Sequence, residues 1–427
     1  MISRIAVRIK KMSTWFSCSL GHGNMRQKKL CHLFVIIACL SASAGCAHTR
    51  RAAVPEDLVG KAVVLGMPDM RYYTDKPTPL FMRQSLADSF KEEGKSDHLV
   101  GGIKTYPALI VGGGVSNSAY GIGLLKGWSK GGSRPVFKIV TGYSSGSLIA
   151  VATFSGRDYE DRFADLYTSF STNDVMKPKN VFSFLFGDSL KSSELFAKKI
   201  NDIIDEALMT RIAAEHAKGR RLYVGTSDLD AQGFVIWDMG ALASQGGPDS
   251  LTMFRKIILT SCSFPVVVSP VYFQVEAGGK RYDEMHADGG VIGGIFYIDP
   301  LMKDAEPLLR AAGVDPRGFK TRVYVLNCCY MSSHSKQVED NLTAITSRLI
   351  ETNGASKMSG DTYRIYAFAK EKGWDYNLAY IPEDFKPNQK EMFDREEMRR
   401  LLKRGYDDAA KGYKWHKAPP GLVAKGE

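Results

Sequence analysis

Twice between Pro107 and Phe154 an apolar run breaks into glycine and is followed at once by a helix-like segment. The first unit is PALIV (107–111), then Gly112, Gly113 and Gly114, then Tyr120, Leu124 and Trp128 four residues apart. The second is VFKIVT (136–141), then GYSSG (142–146), then SLIAVATF. Two strand–turn–helix units in succession call for parallel strands joined by a crossover helix. That selects an α/β layered fold with a mostly parallel central sheet flanked by helices.

The rest of the chain continues the alternation. Residues 158–217 read as mostly helical, and RRLYVGTSDLD and GFVIWDMG read as two strands joined at the turn DAQG. Residues 251–259 read as a helix, and two short strands flank Gly278-Gly279. TRVYVLNC (321–328) reads as a buried strand, with helices expected near 338–351 and 391–412. Residues 46–104 read as an irregular lead-in, 105–300 as the catalytic core and 301–427 as the C-terminal part of the same domain.

The net charge of +11 is concentrated at the start. Residues 1–45 carry seven Lys or Arg and no acid, which leaves 50 basic against 46 acidic residues in the remainder. No nucleic-acid footprint is expected from such a balance. From Met25 the chain shows a basic stretch, an apolar run from Leu30 to Leu40 and the small residues SASAGC. The run is too short to span a bilayer and fits a secretory signal. Residues 1–24 read as an upstream extension. SASAGC resembles a bacterial lipobox, with Ser43 where that motif usually has Leu, and the resemblance makes Cys46 the lipidated first residue of an outer-membrane envelope protein. In the body of the chain only Cys262, Cys328 and Cys329 remain, without metal-ligand spacing, so neither a disulfide framework nor a metal or other cofactor is expected.

Glycines at a strand-to-helix turn expose backbone N–H groups at a positive helix end, which favours an anion. A dinucleotide fingerprint from Gly112 fails at Asn117, and no G-K-[ST] closes a phosphate loop. Gly142-Tyr143-Ser144-Ser145-Gly146 is G-x-S-x-G between a strand and a helix, the context of a nucleophile elbow. That makes Ser144 the candidate nucleophile, and the anion the oxyanion of an attacked carbonyl, facing N–H groups of the Gly112–Gly114 loop. The base is open between two readings. Asp288 in MHADGG follows a strand and precedes two glycines, whereas His334 or His416 would complete a Ser–His–Asp set.

The order GGG, G-x-S-x-G, D-G-G resembles the patatin-like phospholipase family. GLLKGWSKGGSRPVFKIVTGYSSGSLIA, RLYVGTSDLDAQGFVIWDMG, TSCSFPVVVSPV and RYDEMHADGG are similar to stretches of its bacterial members. The resemblance implies a three-layer patatin-like fold and a serine acyl hydrolase without metal. It implies Ser144 as nucleophile, Asp288 as proton acceptor, and Gly112, Gly113 and Gly114 as the oxyanion loop. The substrates implied are phospholipid, lysophospholipid or similar acyl esters at a membrane surface. Ser116, Asn117 and Ser118 stand where the family has a basic residue and a fourth glycine, a departure that also admits an inactive lipid-binding module. With an ordinary carboxyl pKa of about 3.9, Asp288 is expected to support turnover well below pH 6. Phe182, Phe184 and Phe186 alternate in VFSFLFGDSL (181–190) and read either as core rings or as rings that line an acyl groove or touch lipid.

Overall fold

The computed structural model describes residues 51–94, 99–100, 103–175, 194–265, 268–293, 307–311, 313, 315, 318–335 and 337–422. Residues 1–45, Cys46 and VFSFLFGDSL lie outside them.

The central strand is β4 (Ile103–Val111). Tyr106, Ala108 and Ile110 pack into one hydrophobic layer, while Leu109 and Val111 pack into the other. A strand apolar on both faces must be covered on both sides, and helices supply the cover. One cover is α1 (Leu80–Gly94) with α6 (Leu342–Glu371). Met82, Leu86, Phe90, Ile365 and Ala369 bury against that face. The opposite cover includes α2 (Ser118–Lys130), α3 (Ser145–Ser155), α4 (Arg157–Ser169) and α7 (Arg395–Ala410). Helix α3 is buried from Gly146 to Ser155 because it lies between sheet and outer helices, so it has no polar face.

Five strands form the parallel part, in the order β6 (Arg221–Asp228), β5 (Ile139–Tyr143), β4, β10 (Lys320–Tyr330), β11 (Asp375–Ile381). An antiparallel extension continues from β6 through β9 (Lys280–Asp288) and β8 (Val271–Ala277) to β1 (Val63–Val64). The β8–β9 hairpin turns at Gly278 and Gly279, both at positive φ, as a two-residue turn requires. β7 (Gly233–Asp238) pairs antiparallel with β6 and carries the short β2 (Arg71–Tyr73).

The elements that differ from the sequence reading include three that shape the sheet and its cover. The lead-in holds α1, a fifteen-residue helix. Helix α6 runs thirty residues, through Gly354 and Gly360, because burial of Met358, Ile365 and Ala369 on the sheet outweighs the weak glycine propensity. Strand β11 pairs with β10 where no strand was expected.

Helices α2 and α7 touch backbone to backbone. A Cβ on Gly123 would stand 2.1 Å from the Leu402 carbonyl oxygen, and one on Gly127 2.3 Å from that of Tyr406. The last helix is thereby seated on the one that leaves the glycine loop.

Candidate active site

Strand β5 ends at Tyr143, and the chain reverses into α3 through Ser144, which adopts φ +52° and ψ −144°. That conformation is strained for a residue with a Cβ, by roughly 1–3 kcal/mol. Its neighbours make room: a Cβ on Gly142 would meet the Gly146 carbonyl oxygen at 2.5 Å, and one on Gly146 would meet that of Gly112 at 2.6 Å. The turn is held from behind by Ser261, which accepts the Ser144 N–H at 2.9 Å and donates to the Gly225 carbonyl at 2.8 Å. Cys262 Sγ donates to the Ser144 carbonyl at 3.3 Å.

The partner of Ser144 comes from β9. Along β6, Gly225 pairs with Tyr143 of β5 and Thr226 pairs with Asp288 of β9. The two strands therefore meet end to end on one edge of β6, and the last residue of β9 faces the residue just past β5. Ser144 Oγ donates to Asp288 Oδ2 at 2.6 Å, while Asp288 Oδ1 accepts the Gly290 N–H at 2.7 Å. A Cβ on Gly289 would stand 2.8 Å from the Gly225 carbonyl oxygen and from Tyr143 Cβ, so the glycine lets the strand ends close up. Lys357 of α6 donates to the carbonyls of Gly290 and Val291 and ties this loop to the helix.

Asp288 is 1% exposed. Burial raises its carboxyl, the bonds from Ser144 and Gly290 offset part of that, and it stands at about 7. The expected turnover well below pH 6 rested on an ordinary carboxyl; the burial overturns it.

The glycine loop lies against Ser144. A Cβ on Gly113 would fall 2.5 Å from Ser144 Cβ and 3.0 Å from Oγ, so only glycine permits the approach. The three N–H groups differ in their commitments. Gly112 donates to the Leu326 carbonyl at 2.9 Å and so continues the sheet ladder instead of facing an oxyanion. Gly114 donates to Ser145 Oγ at 3.1 Å. Gly113 alone of the three has no protein acceptor among the described residues. Val115 follows at φ +52°, a second strained position beside the site.

Four residues away from Asp288 on β9 is a different kind of carboxylate. Arg71 forks onto Glu284 at 2.5 and 2.8 Å, both groups buried. His286 Nε2 lies 3.2 Å from Glu284 Oε2 and Nδ1 lies 3.0 Å from Thr226 Oγ1. Tyr73 donates to Asp228 at 2.7 Å. Asp228, Glu284 and His286 bring ligand-type atoms within 4.8 Å of one another, and these atoms already serve Arg71, Tyr73 and Thr226.

The two histidines offered as alternative bases have other partners. His334 packs edge-on against Tyr330, and His416 pairs through its backbone with Leu378 and stacks on Tyr380. Residues of the site without an assigned role in the sequence reading are Ser261, Cys262, Tyr167 and Lys357. TSCSFP carries the first two; Tyr167, which donates to the Ser145 carbonyl, and Lys357 give no local signal.

Comparison with known proteins gives one family match and several solved structures. The Patatin-like phospholipase family model matches residues 109–298, which hold the glycine loop, Ser144 and Asp288. VipD from Legionella pneumophila aligns at TM-score 0.36 and 11% identity, covering 71% of this chain and 66% of that one. Full-length SpcU in complex with full-length ExoU from the type III secretion system of Pseudomonas aeruginosa aligns at 0.29 and 12%, covering 72% and 52%. The chain thus spans between half and two thirds of the solved chains it matches. No curated protein matches it.

Proposed function

Starting from a chain that belongs, over residues 109–298, to the patatin-like phospholipase family, we propose that it hydrolyses acyl esters of membrane lipids with a Ser144–Asp288 dyad. The observation that carries the reading is the 2.6 Å bond from Ser144 Oγ to Asp288 Oδ2 at a strained elbow pressed by Gly113. Ser144 Oγ bonds to the acyl carbon as its proton passes to Asp288, and the carbonyl π pair moves onto oxygen. The Gly113 N–H and the Ser145 N–H at the start of α3 face that charge. The carbonyl re-forms and the alcohol leaves with the proton from Asp288. Asp288 then takes a proton from water as the water oxygen bonds to the acyl carbon, and returns that proton to Ser144 Oγ as the acyl–Ser144 bond breaks and the fatty acid is released. A base near pH 7 is matched to work at neutral pH. The substrates in this reading are phospholipids or lysophospholipids.

The test is hydrolysis of a short p-nitrophenyl ester. Wild type is expected to turn it over, Ser144→Ala to fall to background, and His334→Ala and His416→Ala to keep most of the rate. A folded but inert wild type would favour a lipid-binding module, and loss in either histidine variant with the fold intact would favour a Ser–His–Asp esterase.

We also propose that residues 1–45 direct export and that Cys46 carries the lipid, with SASAGC as the supporting motif. One acyl chain holds a protein only weakly and further chains hold it stably. Expressed in a bacterium, the full chain is expected in the membrane fraction, and Cys46→Ser is expected in the soluble fraction or unprocessed; equal membrane partition of both would refute lipidation.

A further inference from the structure

We propose that the Ser145 hydroxyl is a donor to the oxyanion, taking the place of the Gly114 N–H that it occupies. The proposal rests on the acyl-hydrolase reading above. Ser145 directly follows the nucleophile and is half-buried. Its Oγ accepts the Gly114 N–H at 3.1 Å and pairs with Ser118 Oγ at 2.7 Å. The glycine loop thus presses Ser144 at Gly113 and holds Ser145 at Gly114, so both hydroxyls border the same short stretch of backbone.

The hydrogen count gives the direction. Two hydroxyls share one bond, so one of their two hydrogens is left over. With Ser118 donating, Ser145 Oγ receives two hydrogens, both its lone pairs are filled, and its own hydrogen must be donated elsewhere. Ser118 is fully buried and its Oγ also meets the Cys328 thiol, which burial keeps protonated and so able to donate to it, whereas Ser145 is half-buried. With the thiol donating to Ser118 and Ser118 to Ser145, the hydrogen left over belongs to Ser145. Two accepted bonds polarise that O–H and make it a stronger donor. Tyr167 holds the Ser145 carbonyl from the other side and fixes the residue. When Ser144 Oγ bonds to the acyl carbon, its proton goes to Asp288 and the π pair goes to the former carbonyl oxygen. Ser145 keeps its proton and donates a hydrogen bond to that oxygen.

The experiment compares kcat and KM for wild type, Ser145→Ala, Ser145→Thr and Ser118→Ala on the short p-nitrophenyl ester, with thermal melting as the fold control. Removing one oxyanion donor lowers kcat by about 10²–10³. Ser145→Ala is expected to lose about a hundredfold in kcat with KM within about twofold, the pattern of an interaction made in the transition state. Ser145→Thr, which keeps the hydroxyl, is expected to recover most of the rate, and Ser118→Ala to show a smaller loss. A Ser145→Ala enzyme at or above the wild-type kcat would show that the freed Gly114 N–H serves the oxyanion directly, and would overturn the proposal. Equal losses in the Ala and Thr variants, with lowered melting temperatures, would assign Ser145 to structure alone and overturn it as well. A wild type no faster than Ser144→Ala would instead sink the acyl-hydrolase reading, and this inference with it.

Discussion

Asp288→Asn is expected to stop turnover and at the same time stabilise the fold above neutral pH. The amide keeps the shape of the carboxyl but cannot take the Ser144 proton, so kcat should fall at least roughly a hundredfold. The stability gain follows from the raised carboxyl, which goes from 3.8 to about 7 on burial. A carboxyl raised in the fold binds its proton more tightly there than in the unfolded chain. Its contribution is fully present below about pH 4 and is lost as pH rises through about 7. At about 1.4 kcal/mol per pKa unit, the ionised form at pH 8 costs on the order of 4 kcal/mol, and the amide does not ionise. Melting curves of wild type and variant should nearly coincide at pH 4 and separate steadily towards pH 8, with the variant higher. A variant with near wild-type kcat, or one that melts lower at pH 8, would remove Asp288 from the role of base. The acid limb of the rate profile, by contrast, is expected near pH 7, where a histidine would also put it, so it does not separate the two bases.

The second large effect is expected from Arg71→Met, and it runs the other way with pH. Burial pushes the Glu284 carboxyl up, but Arg71, with help from His286, more than reverses this and holds it at about 2. Because that value lies below the ordinary 4.5, the pair's contribution is present above pH 4.5 and is lost as pH falls towards 2. Without the guanidinium, Glu284 is left buried with an uncompensated charge, a change that costs about 3–5 kcal/mol. The melting temperature should drop sharply at pH 7, and the deficit should shrink as pH approaches 4.5, where the orphaned carboxyl takes up a proton. A deficit that is constant with pH would mean that Arg71 matters for its packing on Tyr73 and Trp237 and not for its charge. Two carboxylates on one strand, four residues apart, thus respond oppositely: the one with an arginine serves the fold, and the one facing a serine holds the proton-accepting position of the proposed mechanism.

Much of the scaffold could be read from spacing. The glycine breaks after β4 and β5 announced two parallel units, and DAQG and Gly278-Gly279 announced the two hairpins, because those turns need special backbone conformations. Helix α1 was legible too: Met82, Leu86 and Phe90 recur every four residues and are all fully buried, but the surrounding polar residues masked the period. Helix α6 was not, since Gly354 and Gly360 imitate a loop and only the sheet beneath overrules them. In the site, Ser144 and Asp288 came from motifs, whereas the separate fates of Gly112, Gly113 and Gly114 did not. Those depend on what each N–H meets in space, namely the β10 backbone for one and a serine hydroxyl for another. The raised Asp288 carboxyl was equally invisible, because burial belongs to the fold and not to the residue.

The meeting of β5 and β9 along one edge of β6 makes β6 a ruler for the pair of residues on which the proposed hydrolysis depends. A slip of β9 by one residue would carry Asp288 about 3.3 Å along the strand and turn its side chain to the other face of the sheet. Both hairpin glycines, the elbow serine and the carboxylate would survive unchanged in sequence. Under the proposed mechanism, a descendant of this chain would cease to hydrolyse esters through one inserted or deleted residue between Lys280 and Ala287, with GGG, G-x-S-x-G and D-G-G all intact, and a count of those three motifs would class it with its active kin.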